Sequence, residues 1–365
     1  MKLREVCEIK YGKDHKKLTD GNVPVYGSGG IMRHVERPLF DQPSVLIPRK
    51  GTLANLFFTD SPFWTVDTLF WTKIDSEKII PKFLYYVLKT KDLASLNVGT
   101  AVPSLTTEVL YEVELPDASV KQQTKIVSLL DCLDKKIELN KQLNDYLAEL
   151  LDALWLQACE ESEKRLLSEV ATTLSGGTPK TSVSKYWEGG TIPFFSPKDV
   201  SSPYTLETEK YVTELGVENC NSALYPVNTV FLTARGTVGK VGLAGVPMAM
   251  NQSCFAFSGV CIDQSSVYQV IKSAVCSLKA KANGATFAAI NTRDLKVETV
   301  DVPVQGRLES FQNDARGILA MMLANAKENQ CLAELRDALL PKLMSGEIDV
   351  SKVDLTQLNN HLDDF

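Results

Sequence analysis

Two short segments of the sequence combine a cation, a glycine and a hydroxyl in the same order. Lys50-Gly51-Thr52 follows one apolar run, and Arg235-Gly236-Thr237 follows another. A cationic side chain, exposed backbone and a hydroxyl at one turn suit contact with a phosphate group. A glycine after a strand also makes an ordinary turn, which explains the glycine alone equally well. The preceding basic residue favours the phosphate interpretation, and with it a nucleic-acid ligand.

Other basic and hydroxyl residues of the chain are candidates for the same role. The predicted DNA-binding set is Lys13, Lys16, Lys17, Arg49, Lys50, Thr52, Thr178, Lys180, Lys198, Arg235, Thr237 and Lys240. Phosphate contacts in such an interface use only a handful of basic residues. For each basic residue of the set, the alternative interpretation is an ordinary solvated charge on the surface.

The motifs of enzyme chemistry are missing from the sequence. Residues 235–240 resemble a phosphate-binding loop, but the required four-residue spacing is absent and Val241 replaces Ser or Thr. His15, His34 and His361 show no metal-ligand spacing, and none of the eight cysteines forms C-x-x-C. Neither a nucleophile elbow nor an adenine methyltransferase signature is present. The sequence predicts a chain with no catalytic residues, no metal and no cofactor of its own.

Both basic segments belong to an internal repeat. The opening L-x-E-V at Leu3 recurs at Leu167, an offset of 164, and residues 45–52 recur as residues 230–237, an offset of 185. Residues 97–110 match residues 282–295 more weakly. The change in offset predicts about 21 extra residues early in the second copy, placed in surface loops.

Each copy alternates short apolar runs with Gly and Pro, which is typical of strands joined by loops. The predicted strands are residues 23–26, 44–47, 53–58 and 69–74 in the first copy, and residues 192–195, 230–233, 238–244 and 253–257 in the second. One helix interrupts each set, at residues 81–88 and 266–278. The predicted fold class of each globule is therefore α+β.

A long helix is predicted after each copy, at residues 121–159 and 306–345. The first has the alternating four- and three-residue spacing of a coiled coil, at Ile126, Leu130, Leu133, Ile137, Asn140, Asn144, Leu147, Leu151 and Leu154. The same seam recurs 185 residues later, at Phe311, Ala315, Ile318, Met322, Asn325, Asn329, Leu332, Arg336 and Leu339. If the helices are antiparallel, the four asparagines meet and set the register. Alternatively, they face solvent on a curved helix.

The repeat divides the chain into five predicted parts. They are a first globule (residues 1–118), a first spacer helix (119–164), a second globule (165–304), a second spacer helix (305–349) and an acidic tail (350–365) that we expect to be loosely held. Ser119 and Gln122 have capping-box spacing at the first helix start. Pro341 is expected to kink or end the second helix, and Gly346 to supply its left-handed terminal residue.

Composition and charge restrict the protein class. Hydrophobic residues make up 44% and charged residues 23%, no apolar run approaches a membrane span, and free thiols are expected, all of which predict a cytoplasmic protein. Net charge is 0 over residues 1–120 and +1 over residues 165–305, but −3 over residues 121–164 and −4 over residues 306–365. Acidic helices between neutral globules fit helices that face protein partners while local basic patches meet DNA, although solvated helix faces are often acidic too.

Taken together, these motifs resemble the DNA specificity subunit of type I restriction-modification systems. The resemblance lies in the repeated L-x-E-V openings, SGGTP at residues 175–179, RGTVGK at residues 235–240 and LLPKLMSGEI at residues 339–348. It covers essentially the whole chain. The first copy departs from the pattern, because residues 11–14, YGKD, stand in place of the SGGTP run.

The resemblance implies two target-recognition domains separated by two long antiparallel coiled-coil helices in a pseudo-twofold repeat. Each domain would read half of a split site on double-stranded DNA. A helix of about 38 residues is roughly 57 Å long, or about 17 base-pair steps, so the two halves would not be contiguous.

The same resemblance implies a non-catalytic chain that docks two methyltransferase subunits and up to two restriction/translocase subunits. S-adenosylmethionine, ATP and Mg are expected on those partners. Two alternatives remain at this stage: a coiled-coil assembly scaffold without DNA specificity, and a fused restriction-methylation enzyme.

Overall fold

The computed structural model describes residues 1–99, 102–200, 203–282 and 289–350. The chain divides into two compact units, Met1–Lys136 with Leu332–Phe365, and Ile137–Cys331. Each unit holds one globule and a stretch of both long helices. Among the described helices, none combines the length and apolar character needed to cross a membrane. The predicted acidic tail, beyond residue 350, lies outside the described residues, as does part of the looser repeat match.

The described residues of the first globule form two sheets. Its elements are β1 (Cys7–Tyr11), β2 (Val23–Gly27), β3 (Gly30–Val35), β4 (Ser44–Pro48), β5 (Phe57–Thr59), β6 (Trp64–Thr65), β7 (Leu69–Ile74), α1 (Pro81–Lys89) and α2 (Thr107–Tyr111), followed by the long helix α3 (Val120–Ala158). One sheet has the order β1-β7-β4-β5 and is antiparallel throughout. The other has the order β3-β2-β6, with β2 and β6 parallel. Phe83 and Tyr86 of α1 are buried in the same core as Val45 and Ile47 of β4.

The second globule has a related set of elements. They are β8 (Ser162–Leu166), α4 (Leu167–Val170), β9 (Ala171–Ser175), β10 (Ile192–Phe195), β11 (Tyr204–Thr205), β12 (Tyr211–Val212), α5 (Glu214–Glu218), β13 (Val230–Thr233), β14 (Val241–Ala244), β15 (Ala249–Met250), β16 (Cys254–Gly259), α6 (Gln264–Ala282), α7 (Thr292–Lys296), β17 (Thr299–Pro303) and the long helix α8 (Gln305–Ser345). The sheets have the orders β11-β14-β13-β16-β9, β12-β10-β15 and β17-β8.

Strand pairing in the second globule repeats that of the first. Cys7 pairs with Ile74, and Ala171 pairs with Gly259, which preserves the offsets of 164 and 185. The parallel pair β2–β6 recurs as the parallel pair β10–β15. The offset between equivalent residues of β2 and β10, such as Val25 and Phe194, is 169. The extra residues of the second copy therefore fall mostly after β10, where a loop carrying β11 replaces the tight turn between β2 and β3, and where α5 is added.

The long helices lie within one residue of the predicted stretches 121–159 and 306–345 at every end, whereas the wider spacer segments 119–164 and 305–349 are not helical throughout. The helix α3 begins after Ser119, whose backbone N–H donates to Gln122 Oε1 at 2.9 Å while the Gln122 N–H donates to Ser119 Oγ at 3.4 Å. It ends at Ala158, one residue before the predicted end, and the spacer segment does not stay helical to residue 164 because residues 162–164 pair with β17. The helix α8 ends at Ser345, the predicted end of the helix, so the spacer segment is helical only up to that residue.

Of the two expected effects of Pro341, a kink or an end of the helix, the end does not occur there, since α8 continues for four more residues to the predicted end at Ser345. Pro341 removes one backbone donor in the last turns only, and Leu340 and Leu343 on either side are buried in the core of the first globule. The helix ends where Gly346 adopts a φ of +76°, with its N–H donating to Leu343 O at 3.3 Å.

Candidate nucleic-acid interface and spacer helices

The loop after β4 carries three of the predicted site residues, Arg49, Lys50 and Thr52. The backbone N–H groups of Arg49 and Lys50 donate to Thr68 O at 2.9 and 3.3 Å. The Arg49 guanidinium donates to Asp67 O at 3.0 Å and lies 5.2 Å from the centre of the exposed Tyr11 ring. Gly51 has a φ of +90°, a conformation that favours glycine. The loop is thereby held against residues 66–68, with the Lys50 and Thr52 side chains exposed.

The loop after β13 has the same hydrogen bonds 185 residues later. Ala234 N–H and Arg235 N–H donate to Ser253 O at 2.8 and 3.2 Å, and Gly236 has a φ of +75°. In both globules a third backbone hydrogen bond holds the loop. Leu105 N–H donates to Arg49 O at 2.9 Å, and Ile290 N–H donates to Ala234 O at 3.0 Å. The two predicted basic segments therefore occupy equivalent positions, each beside a turn that leads into β7 or β16.

Thr237 and Lys240 lie on the same loop, which closes the hairpin between β13 and β14. The Lys240 N–H donates to Thr233 Oγ1 at 2.9 Å, and Gly239 turns the chain with a φ of +80°. Both predicted side chains are exposed. A Cβ on Gly239 would be 2.2 Å from the Lys279 side chain of α6, so this lysine lies over the same loop. Lys279 is not among the predicted residues, because no local sequence pattern links α6 to the loop.

In the first globule, the segment after β1 forms one wall of a cleft of about 820 Å³. The cleft is lined by Asp14, His15, Lys16, Gly27, Ser28, Gly29, Met32, Val66, Asp67 and Thr68. Lys13 is held nearby, its N–H donating to Thr65 O at 2.8 Å and its carbonyl accepting from Trp64 Nε1 at 2.9 Å. Lys16 is thus brought to the turn that anchors Arg49 and Lys50. Lys17 is exposed and does not line the cleft.

The second globule has a smaller cleft, of about 220 Å³, at the corresponding place. Its lining residues are Thr178, Thr181, Trp187, Phe194, Ser196, Lys198, Asp199, Glu209, Lys210 and Asn251. Thr178 Oγ1 donates to Gln252 Oε1, and Lys198 Nζ lies 3.5 Å from Glu209 Oε2. Lys180 stands outside the lining, although its carbonyl accepts from Trp187 Nε1 at 3.3 Å. Thr178 and Lys198 are therefore brought together, and Lys180 is not.

The four seam asparagines contact one another across the long helices. Asn140 Nδ2 donates to Asn329 Oδ1 at 3.0 Å and to Glu328 Oε2 at 2.7 Å. Asn325 Nδ2 donates to Asn144 Oδ1 at 2.8 Å. Residue numbers rise along α3 as they fall along α8, so these stretches are antiparallel. Asn140 is 2% exposed and Asn144 7% exposed, so neither faces solvent.

Metal-ligating groups do not gather at these loops. Within the described ranges, no cluster of three or more His, Cys, Asp and Glu side chains is placed to hold a metal ion. The arrangement offers cations, hydroxyls and backbone N–H groups around two clefts, which suits contact with phosphates and base edges.

Comparison with known proteins gives consistent matches. The sequence model of the type I restriction modification DNA specificity domain matches residues 1–149 and 159–312. The specificity subunit of the type I restriction enzyme MjaIX of Methanocaldococcus jannaschii is 22% identical over 347 residues, covering 86% of this chain and 80% of the relative. The EcoR124I/EcoR124II specificity subunit of Escherichia coli is 29% identical over 252 residues, covering 64% of this chain and 61% of the relative.

A solved structure has the same fold. The crystal structure of a type I restriction-modification system S subunit from M. genitalium aligns with a TM-score of 0.60. The alignment covers 94% of this chain and 95% of that one, at 17% sequence identity. At this identity the likeness establishes the architecture.

Proposed function

This chain belongs to the family of type I restriction-modification DNA specificity subunits, and on that premise we propose how its two globules share DNA recognition. The chain recognises a DNA sequence within a restriction-modification complex, as its matched family does. In our proposal each globule reads one half of a bipartite site. The scaffold without DNA specificity and the fused enzyme are not favoured, because the relatives are specificity subunits.

One observation carries the proposal: the same basic loop is tied to the same turn in both globules. Lys50 and Arg235 follow equivalent strands, and the hydrogen bonds to Thr68 O and Ser253 O repeat at an offset of 185. Cations and backbone N–H groups at these loops would hold phosphates, while neighbouring side chains read base edges. The clefts differ in size and lining, which supports two different half-sites for the two globules.

We further propose that α3 and α8 form an antiparallel coiled coil whose length sets the unread gap between half-sites, in a chain with pseudo-twofold symmetry. The asparagine contacts support a defined register. Insertion of whole heptads in both helices should lengthen the gap and leave the bases read unchanged. If the bases changed instead of their spacing, this part of the proposal would fail.

An exposed apolar stripe on α3 supports docking of a partner protein. Leu139, Leu143, Tyr146 and Leu150 are 49%, 40%, 69% and 48% exposed and follow four- and three-residue spacing. Such a stripe suits a partner helix. We propose that two methyltransferase subunits dock on the long helices and that up to two restriction/translocase subunits join them.

In this proposal the chain itself is not catalytic. S-adenosylmethionine, ATP and Mg belong to the partner subunits. Native mass measurement of the complex at saturating methyltransferase tests the stoichiometry, and a single bound copy would contradict it.

The DNA-binding proposal is tested by a gel shift on random DNA at several salt concentrations, followed by selection of bound sequences. We expect salt-dependent binding and a selected motif of two blocks with a fixed gap. A chain that binds no DNA alone or with its methyltransferase, or that selects one continuous block, would contradict the proposal.

A further inference from the structure

The turns that lead into β7 and β16 carry a pair of polar side chains, Asp67 and Gln252, that are not among the predicted site residues. Asp67 lies in the turn between β6 and β7, and Gln252 lies in the turn between β15 and β16. They are separated by 185 residues and so occupy the same position in the two copies. Both side chains are exposed.

Each turn is held from two sides. On one side, the basic loop donates two backbone N–H groups to Thr68 O or to Ser253 O. On the other side, the chain leaving β1 or β9 approaches so closely that a Cβ would be 2.0 Å from Val66 O if placed on Gly12, and 2.1 Å from Asn251 O if placed on Gly176. The backbone at the middle of such a turn is held in one position. A side chain that reads a base needs such a fixed attachment point.

The hydrogen-bonding groups of the two side chains remain available. The Arg49 guanidinium binds the Asp67 backbone carbonyl, and no described residue makes a hydrogen bond or ion pair with the Asp67 carboxylate. Gln252 Oε1 accepts from Thr178 Oγ1, while no described residue binds its Nε2 group. Since an amide oxygen has two lone pairs, Gln252 keeps both a donor and an acceptor for another group.

Their chemistry differs in a way that matters for DNA. An ionised carboxylate only accepts hydrogen bonds, and in the major groove it suits the N4 amino group of cytosine. A glutamine amide donates and accepts, and it matches N7 and N6 of adenine. The flanking cations, Lys50 and Arg235, are placed to hold phosphates beside each turn.

We propose that Asp67 and Gln252 are base-reading residues of the two globules. Asp67 accepts a hydrogen bond from a cytosine in one half-site, and Gln252 forms a bidentate pair with an adenine in the other. The inference rests on the proposed function, since it names side chains that read the bipartite site. It also assigns each side chain to a different half-site.

The test uses the full chain with its own methyltransferase subunits in cells, with the methylated motif mapped for the wild type, Asp67→Asn and Gln252→Glu. We expect Asp67→Asn to change one position of one half-site from cytosine towards adenine. Gln252→Glu should make the opposite change in the other half-site. In each case the preference for the original base should fall about tenfold or more, with the gap unchanged.

Asp60→Asn is the matched control. Asp60 follows β5 beside Ser44, whereas Asp67 precedes β7 near Pro48, so the two aspartates lie at opposite ends of the same sheet. The control should leave the motif unchanged.

Purified complexes are then titrated with oligonucleotides carrying each base at each motif position. A uniform loss of affinity over all bases, or an unchanged motif in both variants, would overturn the inference and leave the proposed function standing. A wild-type complex with no split motif would instead defeat the proposed function itself.

Discussion

Asn325 Nδ2 donates a hydrogen bond to Asn144 Oδ1 at 2.8 Å, and Asn144 Nδ2 donates to the Met322 carbonyl at 3.0 Å. Polar side chains in an apolar seam are tolerated when they are paired, and an offset of one heptad would separate these partners. We therefore expect the contact to favour one register of α3 against α8 over the neighbouring registers.

Replacement of Asn144 by Leu should destabilise the chain. The Asn325 amide and the Met322 carbonyl each lose a partner, at a cost on the order of 1–3 kcal/mol. Replacement of all four seam asparagines by Leu should instead raise the melting temperature but promote mixed registers. Thermal unfolding and the gap length in the methylated motif check these outcomes. A quadruple variant with unchanged assembly and gap would remove the register role.

The Tyr86 hydroxyl anchors the first globule to its stretch of α3. It lies 2.6 Å from Asp134 Oδ2 and 3.0 Å from Asp131 Oδ1, and burial together with these carboxylates raises the pKa of Tyr86 far above its usual range. We expect Tyr86→Phe to cost about 1.5 to 3 kcal/mol, the range for a hydrogen bond to a charged group. Calorimetry should show a lower melting temperature. Tyr146→Phe is the control, since Tyr146 is 69% exposed.

The cysteines should differ sharply in reactivity, although all eight are free. Burial raises the pKa of Cys7 and of Cys254 from 9.0 to about 12, and the thiolate is the reactive form. At pH 8, iodoacetamide should therefore modify the exposed Cys276 well before either buried thiol, as followed by mass spectrometry. Equal labelling rates in the native protein would contradict this.

The same two thiols make stability depend on pH. Each folded pKa lies above its unfolded value, so their contribution is complete below about pH 9 and is lost as pH rises towards 12. Urea unfolding at pH 8 and pH 10 should show the lower midpoint at pH 10. Cys254→Ala should reduce the difference in urea midpoint between pH 8 and pH 10. The destabilisation caused by the cavity that this substitution leaves is measured separately at pH 8.

The basic loops should contribute affinity without base preference. Lys50→Ala and Arg235→Ala each remove one candidate phosphate contact, which should weaken binding to all sequences and reduce the salt slope by about 1. Fluorescence anisotropy over a salt series measures both quantities. Lys121→Ala removes the same charge at the exposed start of α3 and should leave both unchanged.

Gly12 should be required for a purely geometric reason. A Cβ at this position would lie 2.0 Å from Val66 O, so Gly12→Ala must displace the turn that carries Asp67. We expect a lower melting temperature and weaker DNA binding. The control for stability is Gly29→Ala, because nothing lies within 4 Å of a Cβ there.

Local patterns were sufficient where an element depends on its own residues. The strands at Leu69–Ile74, Ile192–Phe195 and Val230–Thr233 begin and end where their apolar runs predicted. The run at residues 53–58 was less informative: β5 starts only at Phe57, since Leu53 is buried as part of the hairpin loop. Partner strands decide such bounds, and partners are distant in sequence.

For most of the candidate site, the sequence predicted individual residues but not that they lie close together. Lys16 and Arg49 were candidates by type, but Asp67 was not, because a single aspartate in a turn is unremarkable in sequence. Its role can be inferred only from the folded chain, in which β6, β7 and the loop after β4 lie next to one another. Lys279 was missed for the same reason, since α6 reaches the loop at Gly239 through tertiary packing.

The sequence by itself determined the repeat, the two long helices and their asparagine pairs, because periodicity and self-similarity are properties of the residue order. Only the tertiary structure decided that Asn140 meets Asn329. It also placed Asp67 and Gln252 in matching turns. These features depend on long-range pairing and burial, whose free energy comes from contacts between residues far apart in the chain.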